Sequence, residues 1–174
     1  MKRRTVIVSI SLHALLVVTV YVFQGMIFPY LRLAGLSPLL LPLVSTGVAV
    51  YEGRFAGGIT GIFAGILCDI SFNEPVGVFT ILLTFSGLVV GVIADTVVTR
   101  TFVTYIMFCA GILVVSAFVQ MFPLVFFEGI PPGQLMATAL WQTVYSLVFA
   151  IPIWFCVRAL GKRAQRVSPS GRPL

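Results

Sequence analysis

The chain has 174 residues, enough for one domain, and 9% of them are charged whereas 59% are hydrophobic. A soluble domain carries roughly 25% charged residues, so these side chains cannot cover a water-facing surface. This composition excludes an ordinary soluble protein and predicts an integral membrane protein. The formal net charge of +6 does not indicate nucleic-acid binding, because the cations form no basic patch interleaved with aromatic residues.

Six apolar stretches follow one another, each about as long as the roughly 17–25 residues that a helix needs to cross a bilayer. The sequence therefore predicts an all-α domain of six transmembrane helices over residues 1–158. The predicted spans are 5–28, 36–51, 55–72, 76–94, 101–122 and 134–157, with the regular part of the fifth ending at Pro123. Residues 159–174 are basic and are predicted to form a disordered tail that contacts anionic lipid.

The distribution of cations predicts the orientation of these spans. Six spans put both termini on one side, together with Lys2, Arg3, Arg4, Arg54, Arg100 and the five cations of the tail. The opposite side receives only Arg32. Because cations concentrate on the cytoplasmic side, both termini are predicted to be cytoplasmic.

Residues Gly57, Gly61, Gly65 and Asp69 recur at every fourth position of the third predicted span. On a helix they share one face, a ridge of bare backbone that ends in a carboxylate. Helices in lipid associate through close backbone approach, so another helix is expected to lie along this ridge. The spacing leaves open whether that helix belongs to this chain or to a partner.

The fourth predicted span repeats the pattern in Gly87, Gly91 and Asp95, 26 residues further on. The two spans run in opposite directions, which puts Asp95 at the depth of about residue 51. At 1.5 Å per residue, Asp69 and Asp95 are roughly 27 Å apart. They cannot form an acid–base pair, so an intramembrane aspartyl protease is excluded.

Asp69 itself is predicted to lie one turn inside the outer boundary, where a buried carboxylate marks function or a structural hydrogen bond. Three roles are open: accepting backbone donors from the turn between Ser71 and Gly77, contacting a partner or ligand, or handling protons. Gly77, after Pro75, is expected to allow the close return of the chain.

The sequence does not support catalysis. No nucleophile–base pair, phosphate loop, metal cluster or cofactor motif is visible, and the only histidine, His13, has no second ionisable group nearby in the sequence. His13 is therefore expected to be a satisfied or partner-facing side chain rather than part of a proton relay.

The stretch from Arg54 to Asp95 resembles the MreD family of bacterial rod shape-determining membrane proteins. The resemblance lies in the fourfold glycine spacing that leads into Gly65-Ile-Leu-Cys-Asp69, and in the short turn with Pro75-Val-Gly77 before another apolar helix. The segment Phe72-Asn73-Glu74 departs from it, because small residues such as Ser or Gly are expected there. Elsewhere the resemblance is one of size, span number and basic tail.

The resemblance implies a non-enzymatic scaffold of the machinery that elongates the cell wall. Such a scaffold binds MreC, a protein with one membrane span, and through it connects to MreB filaments, to RodA and to a penicillin-binding transpeptidase. The implied fold is similar to the six-helix substrate-binding subunits of energy-coupling-factor transporters. Homo-oligomerisation is left open.

A second interpretation is a transporter subunit that captures a vitamin. It would need polar and aromatic contacts near the outer ends of the helices. It would also need small residues along the first span for the coupling protein, and that span offers only Ala14. A proton-coupled carrier would need paired ionisable groups at mid-depth, and the sequence presents none.

Overall fold

The computed structural model describes residues 2–27, 38–72, 77–96, 101–128 and 132–167. These residues form six α-helices, here numbered α1 to α6 in chain order. Their bounds are α1 Lys2–Ile27, α2 Leu40–Glu52, α3 Arg54–Phe72, α4 Val78–Thr96, α5 Phe102–Glu128 and α6 Pro132–Val167. The helical class predicted from the sequence is thus confirmed.

Four of the helices, α3 to α6, contain stretches long and apolar enough to cross a membrane. The apolar parts of α1 and α2 are shorter, at Ser11–Met26 and Leu40–Glu52 within the described residues. Large apolar side chains are exposed on every helix except α2, among the described side chains, and such a surface suits hydrocarbon rather than water. Six complete spans with cytoplasmic termini stay a prediction.

Two helices run further than the sequence predicted. α5 continues past Pro123 to Glu128, and α6 continues past Val157 to Val167. Membrane helices accept proline where neighbouring groups satisfy the freed carbonyl. The extension of α6 is rich in Ala, Leu, Lys, Arg and Gln, which favour helix, and its cations suit the negative end of the helix dipole. The predicted disordered tail therefore begins as helix.

Helix α2 is the axis of the bundle. Every residue from Leu40 to Val50 is buried, and α2 contacts all five other helices. Pro42 lies in the first turn of α2, where its missing N–H is no loss, and its carbonyl accepts hydrogen bonds from the hydroxyls of Ser45 and Thr46. The hydroxyls of Ser45 and Thr46 are thereby satisfied within the helix, which lets this part of α2 be enclosed on all sides.

An aromatic cluster joins α2 to α5 and α6. Trp154 of α6 stacks on Tyr105 of α5 with ring centroids 4.9 Å apart. The Phe102 and Tyr51 rings contact Trp154 edge to face, with centroids 6.0 and 6.2 Å from the Trp154 centroid. The Tyr105 hydroxyl donates to the carbonyl of Leu43 in α2 over 3.3 Å. These contacts fix the side of the bundle opposite the α3–α4 pair.

Replacing Trp154 by alanine should destabilise the protein by about 3 kcal/mol, because it empties a buried site and removes three ring contacts. The matched control is Trp141→Ala on the same helix, since Trp141 is 71% exposed. The control should change the free energy of unfolding by less than about 0.5 kcal/mol. Reversible unfolding in mixed detergent micelles measures both, and equal losses would contradict the cluster's structural role.

Candidate functional site

The glycine ridge of α3 lies against α4, which runs antiparallel to it. A methyl group added at Gly61 would overlap the backbone of Leu83, and one at Gly65 would overlap the backbone of Thr80. At Gly57 the neighbours are Ala49 of α2 and the Gly87 carbonyl, 2.5 and 2.9 Å from an added Cβ. The groove that the spacing offered to a helix of this chain or of a partner is occupied by α4 and α2.

The second copy of the pattern makes the reciprocal contacts. An added Cβ at Gly87 would lie 2.5 Å from the Gly57 carbonyl oxygen, and one at Gly91 would overlap the backbone of Arg54. Each helix therefore presents its glycines to the N-terminal half of the other. The duplicated spacing corresponds to a hairpin with approximate two-fold symmetry. The two helices approach each other closely at the glycine positions, because a side chain there would overlap the neighbouring backbone.

The carboxylate of Asp69 caps the start of α4. It accepts hydrogen bonds from the backbone N–H of Gly77 at 2.9 Å, of Phe79 at 2.8 Å and of Thr80 at 3.2 Å. The Thr80 hydroxyl donates a fourth at 2.6 Å. The N–H groups of a first helical turn have no partner within the helix, and the dipole there favours negative charge. Asp69 is 4% exposed, and these bonds offset the loss of its hydration.

Asp95 occupies the equivalent position at the other end of the hairpin. Its Oδ2 would lie 2.9 Å from a Cβ added at Gly53, the residue that precedes α3. Gly53 has φ of +94°, a conformation that side chains rarely adopt. Asp95 thus lies beside the junction of α2 and α3, at the opposite end of the hairpin from Asp69 and close to the level expected from the helical rise.

At the other junction Gly77 also has positive φ, +108°, and its N–H is one of the donors to Asp69. Open space surrounds it, so backbone conformation rather than packing favours glycine there. The turn residues 73–76, which include Asn73 and Glu74 of the segment that departs from the resemblance, lie outside the described residues.

The sequence reasoning missed one contact. His13 Nε2 of α1 lies 3.1 Å from Glu52 Oε1 of α2, and the two side chains are 5% and 14% exposed. No second ionisable group lies near His13 along the chain, as the sequence analysis states, and Glu52 is its neighbour only in space. A histidine and a glutamate this far apart in sequence carry no periodic signal, and only the packing of α1 on α2 brings them together.

The polar groups and glycines of the α3–α4 hairpin have a structural role. The Asp69 carboxylate is engaged by four donors and the glycines by backbone, which leaves neither free to act on a substrate. Within the described part of the chain, no group of three or more His, Cys, Asp or Glu side chains could hold a metal ion. The arrangement holds two membrane-length helices together through their glycine faces and through the cap that Asp69 makes on α4.

The described residues form a bundle of apolar helices, four of which are long and apolar enough to cross a membrane, and this architecture is that of a helical membrane protein. The family described as rod shape-determining protein MreD matches residues 2–164. The chain belongs to the MreD family. The comparisons with curated proteins and with solved structures found no match.

Replacing Gly65 by alanine should destabilise the protein by about 1–3 kcal/mol, because the methyl group meets backbone that cannot move aside. The matched control is Gly111→Ala in α5, where nothing lies within 4 Å of the added Cβ. Alanine favours helix over glycine, so the control should leave stability unchanged or raise it by up to about 1 kcal/mol. Unfolding in mixed micelles measures both; a neutral Gly65→Ala would contradict the tight hairpin.

Replacing Asp69 by alanine should cost about 3 kcal/mol, because three backbone donors lose their acceptor in an apolar surrounding. Thr80→Val removes only the fourth hydrogen bond and should cost about 1 kcal/mol. Hydrogen exchange of the first turn of α4 should speed up in Asp69→Ala and change little in Thr80→Val. Similar losses in the two variants would show that the carboxylate is not the main cap.

Proposed function

We propose that this protein is a non-enzymatic membrane scaffold of the bacterial cell-elongation machinery, which binds an MreC-like single-span partner and helps to maintain rod shape during peptidoglycan synthesis. The observation that carries the proposal is the match of residues 2–164 to the MreD family. A family of rod shape-determining proteins supports the general role. The identity of the partner and the way it binds are further parts of this proposal, and the pull-down described below tests them.

The character of the bundle supports a scaffold. The ionisable groups Asp69 and Asp95 lie at helix junctions, and His13 and Glu52 face each other. The exposed side chains of the long helices are mostly aliphatic or aromatic. A partner's transmembrane helix would pack on such a surface through complementary shape and dispersion contacts rather than through polar interactions.

The partner's helix must dock away from the glycine ridge, since α4 fills it. We place it on the exposed face of α5 around Gly111. Gly111 lies at the centre of the apolar part of α5, between the exposed side chains of Met107 and Val115, and has open space in front of its Cα. A glycine on an exposed face allows a foreign helix to approach the backbone closely.

In this proposal the bundle lies in the inner membrane with both termini in the cytoplasm, and the MreC-like partner connects it to MreB filaments, RodA and a penicillin-binding transpeptidase. The concentration of cations on one predicted side supports this orientation. A second copy of the chain is an alternative occupant of the α5 face.

One observation favours a small-molecule-binding subunit as the second candidate. Gln24 Oε1, Ser116 Oγ and Gln120 Nε2 are buried without a hydrogen-bond partner among the described residues. Ser116 and Gln120 lie one turn apart on α5, and Gln24 lies in the last turn of α1. Buried polar atoms of this kind are uncommon and can mark a bound polar molecule or water. Recovery of a pair of ATPases from native membranes would favour this candidate.

Substituting Gly111 by leucine should reduce co-purification of an MreC-like partner about tenfold or more, because the side chain fills the approach to α5; tenfold corresponds to about 1.4 kcal/mol of binding free energy. The measurement is the partner-to-bait ratio after a pull-down from native membranes. Thermal stability of the bait alone should stay at the wild-type value.

The matched control is Gly25→Leu in α1, which also adds a leucine where nothing lies within 4 Å of the Cβ. It should leave the partner-to-bait ratio unchanged. Gly61→Leu should lower both stability and recovery, because it separates α3 from α4. If the Gly111→Leu variant recovers as much partner as the wild-type protein does, the α5 face is not the docking face. If the wild-type protein itself recovers no MreC-like partner, the proposed scaffold function is wrong.

A further inference from the structure

The surface that α5 and α6 form together carries a pocket, here called the α5–α6 pocket. It measures about 60 Å³, and both helices line it: Val114 and Phe118 of α5, and Met136, Ala139, Leu140 and Thr143 of α6. All of these side chains are apolar except that of Thr143. Val114, Phe118, Met136 and Leu140 are exposed, so the pocket opens on a face of the bundle that suits hydrocarbon.

The chemistry of the α5–α6 pocket calls for an apolar occupant. A bound water molecule needs two to four polar partners, and the lining side chains offer only the hydroxyl of Thr143. An empty pocket leaves its lining without partner atoms on one side and forfeits their dispersion contacts. A molecule that packs on this face therefore gains by placing an apolar group in the pocket.

The pocket continues the face of α5 on which the partner helix is placed. Val114 and Phe118 follow Gly111 by three and seven residues, so they share its face of the helix, one and two turns further along. At 1.5 Å per residue, Phe118 is about 10 Å from Gly111 along the axis. A single docked helix has side chains at the same repeat, so it can approach Gly111 closely and reach the pocket at once.

A side chain from such a helix suits the pocket better than the tail of a lipid does. An acyl chain that enters loses much of its conformational freedom, whereas a helix already fixes the backbone of the side chain that it presents. Leaving lipid for protein gains an apolar group little in itself, so the closeness of the fit decides which occupant is favoured. A groove between two packed helices also accommodates the ridge of side chains on a third.

We propose that the α5–α6 pocket receives one large aliphatic side chain from the transmembrane helix of the single-span partner. An enclosed cavity of about 150 Å³ holds benzene, so a pocket of this smaller size fits leucine, isoleucine or methionine better than an aromatic ring. The inference rests on the proposed scaffold function and adds to it the kind of residue that the partner contributes. Gly111 sets how closely the partner approaches α5, and the pocket fixes the register of the partner along that helix.

The first test is photo-crosslinking in native membranes, with the full chain carrying p-benzoylphenylalanine in place of Leu140 or of Trp141. The two positions are adjacent on α6 and similarly exposed, at 61% and 71%, but only Leu140 is among the residues that line the pocket. Because successive residues point about 100° apart around a helix, we expect at least about fivefold more product with an MreC-like partner from the Leu140 position. Mass spectrometry should place the link at a large aliphatic residue of the partner's span or beside it.

The second test fills the pocket. Ala139→Phe places a ring in the pocket, and it should lower the partner-to-bait ratio in a pull-down about tenfold, because the partner's side chain can no longer enter. The matched control is Ala159→Phe, at an exposed position of α6 outside the pocket, which should leave the ratio unchanged. Thermal stability of the bait alone is measured for both variants, and if Ala139→Phe lowers it, the crosslinking result decides.

Three results would overturn the proposal. The first is a Leu140 product that contains only lipid or a second copy of this chain, since either is a different occupant. The second is equal product with the partner from Leu140 and Trp141, and the third is wild-type recovery of the partner by a stable Ala139→Phe bait. All three leave the proposed scaffold function standing, because recovery of an MreC-like partner by the wild-type protein tests that function separately.

Discussion

The close approach of α3 and α4 is the contact on which the rest of the bundle depends. In hydrocarbon, apolar helices gain little from burying one another, so association needs dispersion contact at short range and satisfied polar groups. Glycines on both helices allow the first, and the Asp69 carboxylate provides the second by accepting four hydrogen bonds from the start of α4. Around this hairpin, α2 packs as the central helix and the others enclose it.

The same constraint explains why the conspicuous polar residues of the α3–α4 hairpin have structural partners. A carboxylate in a membrane helix is costly unless donors surround it, and the donors nearest to hand are the unpaired N–H groups of the next helix. Asp69 is used in this way, and Asp95 lies at the equivalent position of the opposite junction. The exposed side chains described on the long helices are mainly apolar, and family membership supports a role in rod shape determination.

The two ends of the bundle are stabilised differently. At the Asp69 end, a carboxylate and backbone donors make a fixed cap that needs no change of charge. At the opposite end, where α2 turns into α3, Glu52 faces a histidine on α1, which is the helix with the fewest buried side chains described. Close backbone contact holds the α3–α4 pair together, whereas α1 meets α2 through the contact between His13 and Glu52.

The sequence by itself determined the helical membrane class, the approximate positions of the helices and the two glycine–aspartate ridges, because composition and a spacing of four are local properties of the chain. It could not decide whether a ridge faces α4 or a partner, since glycine spacing specifies close approach but not what approaches. The central place of α2 was also hidden, because lipid-facing and core-facing helices are equally apolar. The His13–Glu52 contact came only from the tertiary structure, which joins two residues that no periodicity links.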